Sequence, residues 1–272
     1  MSREHDIRFG TTGWDYDDWV GPFYPADTPE TAYLTRYAEH FDLVEVDLTF
    51  HRPPNSALID RWRQATPRKF SFVLKVPRLI THEKVLLGCR DEFRSFAETI
   101  RGLGNKLLGV VFQFPYFNKQ AFPRPAEFME RLDEFLDASL GGVHAAVEIR
   151  NKTWLSDAWF DLLRRHRAAT VLVDHPWMPS IPDMVERFPV DTGPFGYVRL
   201  LGDREAMEKV TKTWEKVVLD RSDRLAEIGA ALQRMLLKQP MMVVASNHYA
   251  GHAPATINEL ASVMGRAQPI DR

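Results

Sequence analysis

Cysteine is nearly absent from this chain: Cys89 is the only one, so no internal disulfide and no cysteine cluster for zinc can form, which fits a reducing compartment. No apolar run approaches the roughly 20 residues that span a bilayer. The polar residues from Met1 to Asp6 lead straight into an apolar strand, without the basic and then apolar pattern of a secretory signal. The expected location is the cytoplasm, with no membrane partner. An excess of one charge is missing too: 35 Lys and Arg stand against 37 Asp and Glu, a formal net charge of -2. Nothing in that balance draws the chain to nucleic acid or to an anionic surface. Three catalytic signatures are also lacking: the Gly-x-Ser-x-Gly elbow, the Gly-x-x-x-x-Gly-Lys phosphate loop and the His-Glu-x-x-His zinc pair.

What remains is a chain of 272 residues, 44% hydrophobic and 26% charged, the balance of a globular protein with a sizeable core. Short β-branched and aromatic runs alternate with stretches of helical spacing, as in parallel strands joined by crossover helices. Eight strands are expected near Ile7 to Thr11, Leu43 to Phe50, Phe70 to Val76, Leu108 to Phe114, Ala145 to Ile149, Thr170 to Asp174, Gly196 to Leu201 and Met241 to Ser246. Helical spacing is clearest at Glu30 to His40, Asp91 to Gly102, Ala126 to Leu136, Ser156 to His166, Arg221 to Leu237 and Pro254 to Met264. The stretch from Pro176 to Pro194 holds five prolines and reads as a long, partly ordered loop over the barrel mouth in place of a sixth helix. Barrels of alternating strand and helix use about 250 residues as one unit. The fold class expected is therefore α/β, one TIM-type (β/α)8 barrel domain over residues 1–272. The open doubly wound sheet, its rival, is disfavoured because no glycine-rich nucleotide fingerprint follows the first strand.

Alternation along strands then picks out a polar interior. If Val44, Val46, Leu48 and Phe50 face the helices, Glu45, Asp47 and Thr49 form an inward acidic row. Where Val147 and Ile149 face out, Glu148 and Arg150 face in. Lys75, Gln113, Asp174, Arg199 and Asn247 lie at or near the ends of their strands. Ionisable groups in a low-dielectric interior must pair, reach water or bind a ligand, and barrel enzymes place their sites at this rim. The competing explanation is a structural ion-pair network that plugs the barrel.

The ordered stretches Gly10-Thr11-Thr12-Gly13-Trp14, Val44-Glu45 through Thr49-Phe50, Lys75-Val76-Pro77 with Thr81-His82, Gln113-Phe114-Pro115, Val147-Glu148-Ile149-Arg150, Tyr197-Val198-Arg199 and Asn247 through Gly251 resemble the YecE-like family, domain of unknown function 72. The resemblance runs from about Ile7 to Met264 and implies a TIM-type barrel with no established reaction. Glu45, Lys75, His82, Gln113, Glu148, Arg150, Arg199 and Asn247 match the family pattern. The chain departs from it at Asp47 and Leu48, where Asn and Ser are usual, and at His51, where Tyr is usual. It departs again at Asn151 and Leu201, where His is usual, and at Ser246, where Asn is usual.

The leading expectation is an enzyme using carboxylate general acid/base chemistry on a small polar, hydroxylated or anionic substrate. Glu148 and Glu45 are the catalytic pair, in unlike protonation states. Lys75, Arg150 and Arg199 hold an anion or developing negative charge, and Gln113 and Asn247 fix orientation. His82, Asp174 and Asp47 complete the substrate-binding set. Trp14 and Trp154 are preferred among the loop aromatics, which include Trp177, for stacking on a sugar ring or a base. No cofactor is predicted. A divalent metal is an option that His82, His175, His248, Glu45, Asp47, Glu148 and Asp174 allow without diagnostic spacing. The alternatives are a metal-dependent phosphodiesterase on nucleic acid, a partner not favoured, and a non-catalytic metabolite-binding module. Oligomeric state is not readable.

Overall fold

Eight short segments rich in Val, Leu and Ala pair side by side in sequence order and close on themselves, in a computed structural model that describes residues 5–266. The strands are β1 (Ile7–Thr12), β2 (Leu43–Val46), β3 (Ser71–Lys75), β4 (Leu107–Gln113), β5 (Ala145–Glu148), β6 (Ala169–Asp174), β7 (Gly196–Leu200) and β8 (Met241–Ala245), all parallel, with β8 returning to β1. Six of the helices in the outer ring are those read from sequence: Tyr33–His40, Arg90–Ile100, Pro125–Ser139, Asp157–Arg165, Ser222–Leu236 and Ala253–Val263. The closed (β/α)8 barrel expected from the alternation is the fold. Among the described residues no helix is long and apolar enough to cross a membrane.

Closure demands close backbone approach in places. A Cβ on Gly10 would stand 2.0 Å from the carbonyl oxygen of Leu43, so β1 and β2 meet only because that residue is glycine.

Two apolar cores result from the period-2 alternation of buried strands. One lies between sheet and helices and takes Val44, Val46, Phe72, Leu74, Val110, Phe112, Val147 and Val198. The other fills the barrel and takes Leu43, Val73, Val111, Ala146, Val171, Tyr197, Met242 and Val244. Each of six members of the inner layer has a polar side chain two residues further on. Leu43 is followed by Glu45, Val73 by Lys75, Val111 by Gln113, Ala146 by Glu148, Tyr197 by Arg199 and Val244 by Ser246. The carboxyl end of the barrel is thus polar across most of its circumference.

Three expectations are corrected. Strand β2 stops at Val46, because its last partner on β3 is Leu74, and beyond it Leu48–His51 forms one helical turn. The inward row of Glu45, Asp47 and Thr49 is therefore broken: the Thr49 hydroxyl donates to the carbonyls of Val46 and Lys75 at 3.0 and 2.7 Å. A helix at Ser56–Ala65 escaped the sequence reading. Only Ile59 and Trp62 are buried on it, too short an apolar stripe to read, although Asn55 caps it by accepting from the Leu58 amide at 2.9 Å. Finally, the proline-rich stretch is not all loop. Ser180 caps a helix at Ile181–Arg187 with Pro182 in its first turn, and Ile181 and Met184 pack it against β6 and Ser222–Leu236 as the sixth helix of the ring.

Candidate functional site at the carboxyl ends of the strands

Arg199, on β7, is 3% exposed, and its guanidinium spans the barrel floor between two carboxylates that are 0% exposed. Its Nη2 donates to Glu45 Oε1 at 2.6 Å and its Nη1 to Glu148 Oε2 at 2.5 Å. The second oxygen of Glu45 accepts from the Tyr197 hydroxyl at 2.7 Å. Arg150 Nη2 lies 2.6 Å from Glu148 Oε1 as an ion pair, off the axis of a hydrogen bond. Arg150 Nε and Arg199 Nε are buried without a hydrogen-bond partner in the protein, and Glu148 Oε1 is satisfied by the Arg150 ion pair alone.

Burial alone would raise the Glu148 pKa, but Arg150 and Arg199 beside it more than reverse that and hold it down at about 2. Glu148 is a fixed carboxylate. Burial and the neighbouring Glu45 push the Tyr197 phenol far up, so it remains a donor.

Above this floor lies a cavity of about 400 Å³ whose lining includes four cations, Lys75, Arg150, Arg199 and Arg204, and one carboxylate, Asp47. Glu45 and Glu148 do not line it. Lys75 Nζ pairs with Asp47 Oδ1 at 2.8 Å and lies 4.1 Å from the centre of the Phe50 ring. Burial would raise the Asp47 pKa, yet Lys75 and then Arg199 hold it below the usual carboxylate range. His82 and His175 also line the cavity. Burial lowers the His82 pKa to about 4, helped by Lys75 and Arg78. Burial and Arg150 lower that of His175 to about 4 as well, against the pull of Glu148. Both imidazoles are neutral at physiological pH.

Of the residues picked from sequence, Lys75, Asp47, His82, Gln113, Arg150 and Arg199 line this cavity, with Glu45 and Glu148 directly behind Arg199. Asp174 does not reach it. Its side chain faces the helices, held by Arg224 Nη2 at 2.6 Å and the Tyr249 hydroxyl at 2.9 Å. The outward position of Leu172 on the same strand already implied this direction. Asn247 is buried beside the cavity and accepts from the Ala253 amide at 2.9 Å, bracing the turn after β8. Trp14 packs edge-on against Trp62 at 5.6 Å, and Trp154 lies among Phe117, Phe122 and Phe128, so both are packing residues. The exposed aromatics in the cavity lining are Tyr116 and Trp177, with the half-buried Tyr16 a third. Tyr116 was missed because it stands in a loop, and Arg204 because it opens the short helix Arg204–Val210, where no strand periodicity marks direction. Among the described residues no three His, Cys, Asp or Glu side chains converge in a way that could hold a metal ion.

The fold and site define a TIM-type barrel with a cationic cavity at the carboxyl ends of its strands. The chain belongs to the family described as "Protein of unknown function DUF72", which matches residues 8–271. It is 29% identical over 183 residues to the UPF0759 protein YunF of Bacillus subtilis (strain 168), covering 65% of this chain and 60% of that protein. It is 28% identical over 146 residues to the UPF0759 protein YecE of Escherichia coli (strain K12), covering 53% and 48%. These matches thus span less than two thirds of either relative's length. The crystal structure of a DUF72 family protein from Thermotoga maritima MSB8 superposes with a TM-score of 0.72 at 24% identity, over 94% of this chain and 97% of that one, a likeness that speaks for the fold.

Proposed function

We propose that this protein is an enzyme that holds a small polar, hydroxylated anion in the cavity at the barrel mouth and moves a proton on it. The observation that carries the reading is the segregation of charge. Four cations reach the cavity surface, whereas of their four acidic partners, Asp47, Glu45, Glu148 and Glu208, only Asp47 lines the cavity and Glu45 and Glu148 are sealed behind Arg199. A solvent-reachable hollow whose lining carries four cations and one carboxylate presents donors that favour an anion, and developing negative charge, over a neutral ligand.

In this reading Lys75, Arg150 and Arg199 bind the anion and Gln113 orients it. Glu45 and Glu148, expected from sequence to exchange protons, hold the guanidiniums in place instead. Proton transfer falls to the ionisable groups at the surface, the Asp47 carboxylate and the neutral imidazoles of His82 and His175. The metal-dependent phosphodiesterase reading finds no ligand set among the described residues, and the four cations oppose a metal in the cavity.

The test is incubation of the protein with a panel of small hydroxylated carboxylates and phosphates, followed by NMR of the mixture. Turnover of one compound, lost in Asp47→Asn while binding persists, supports the proposal. A compound bound tightly and recovered unchanged after long incubation favours the second reading, a metabolite-binding module, which the complete burial of Glu45 and Glu148 would suit.

A further inference from the structure

We propose that Tyr116 and Trp177 form a ring-binding subsite, so that the anion this cavity takes is carried on a planar aromatic or heteroaromatic ring; the inference rests on the anionic reading above. Tyr116 follows β4 and Trp177 follows β6, so the two loops flank β5, the strand that leads into Arg150. Among the described residues they are the two most exposed large apolar side chains, at 58% and 59%. Both line the cavity that holds the four cations. Two such side chains brought together from separate loops at a polar hollow present apolar area that a ligand can cover.

The Trp177 indole has neighbours that orient it. The Trp177 amide donates to His175 Nδ1 at 3.2 Å, and the His175 ring meets the indole edge-on at 5.2 Å. The Tyr116 and Trp177 ring centres are 6.4 Å apart with planes at 75°, which makes an inside corner. A flat ring set into that corner stacks on one face and offers its edge to the other, the two arrangements aromatic pairs favour. A saturated sugar ring is thicker and gains C–H contact with a single face. An anionic substituent on a ring held there would share the cavity with Arg150 and Arg199.

The experiment is titration calorimetry of the full chain with inorganic phosphate, phenyl phosphate and glucose 6-phosphate, repeated on Trp177→Ala and Tyr116→Ala. Both side chains are exposed, and unchanged thermal melting verifies that the variants fold. The expected result is phenyl phosphate binding about tenfold tighter than either other probe, with the ratio to inorganic phosphate falling toward one in both variants. A phenyl phosphate affinity no better than that of inorganic phosphate, or an advantage that survives both substitutions, overturns the subsite and leaves the anionic reading standing. Glucose 6-phosphate binding as tightly as phenyl phosphate overturns the planar-ring assignment. Failure of all three probes to bind wild-type protein overturns the anionic reading and this inference together.

Discussion

Arg199 and Glu148 hold each other at 2.5 Å across the inside of the barrel, one from β7 and the other from β5, at a depth where neither has appreciable contact with solvent. Glu45 on β2 grips the other arm of the same guanidinium at 2.6 Å. Charges this deep are tolerated only as a set, since removing one member leaves the others desolvated and uncompensated. The set therefore shapes stability first and, through the placement of Arg150 and Arg199, the cavity second.

Arg199→Met should lower unfolding free energy at neutral pH by about 3–5 kcal/mol, the usual cost of breaking a buried pair. Urea denaturation followed by circular dichroism measures it. A loss below about 1 kcal/mol would mean that the network is more hydrated than its burial implies.

Acid should act through Glu148. Its pKa falls from an ordinary 4.5 to about 2 on folding, because Arg150 and Arg199 outweigh the cost of burial. The folded chain thus keeps this carboxylate ionised where the unfolded chain protonates it. The stabilisation is complete above the ordinary value and is lost as pH falls from there toward 2, an effect on the order of 3 kcal/mol. In Glu148→Gln that acid-side slope should flatten, while stability at neutral pH drops because Arg150 and Arg199 lose a counter-charge. Denaturant melts across the acid range check both effects, and identical slopes in wild type and variant would refute the assignment.

Anion affinity should be insensitive to histidine protonation near neutrality. His82 and His175 are both held at about 4 by burial and neighbouring cations, so neither gains charge between about pH 5 and 8. The pKa of the third lining histidine, His248, is lowered as well by burial and Arg204. Sulfate, which does not itself titrate there, is the appropriate probe. A flat binding constant over that range agrees with the structure. A sharp rise on acidification, centred near the ordinary imidazole value of 6.5, would show that a pocket histidine is accessible to protons.

Most of this arrangement was legible where strand alternation continued to the barrel rim. Val147, Glu148, Ile149 and Arg150 alternate out and in as written, and so do the positions of Lys75, Gln113 and Arg199. The reading failed where the strand stopped first. Asp47 reaches the cavity from a turn, and Thr49 spends its hydroxyl on backbone carbonyls. Asp174 failed for another reason: being near a strand end is not the same as facing inward, and Leu172 set the opposite phase. Trp14, which ends the first family motif, and Trp154 are packing residues, half-buried and buried respectively, whereas Trp177, equally visible in the sequence, is the indole at the mouth. Composition cannot separate those cases, because the same ring serves either purpose and only the surrounding loops decide which.

The most direct test of the cationic cavity is calorimetric titration of sulfate into wild-type protein, Lys75→Met and Arg150→Gln, at low ionic strength and neutral pH. A single saturable site, weakened about tenfold or more by either substitution, is the predicted result. Absence of saturable binding to wild-type protein, or an affinity that neither substitution alters, would contradict it.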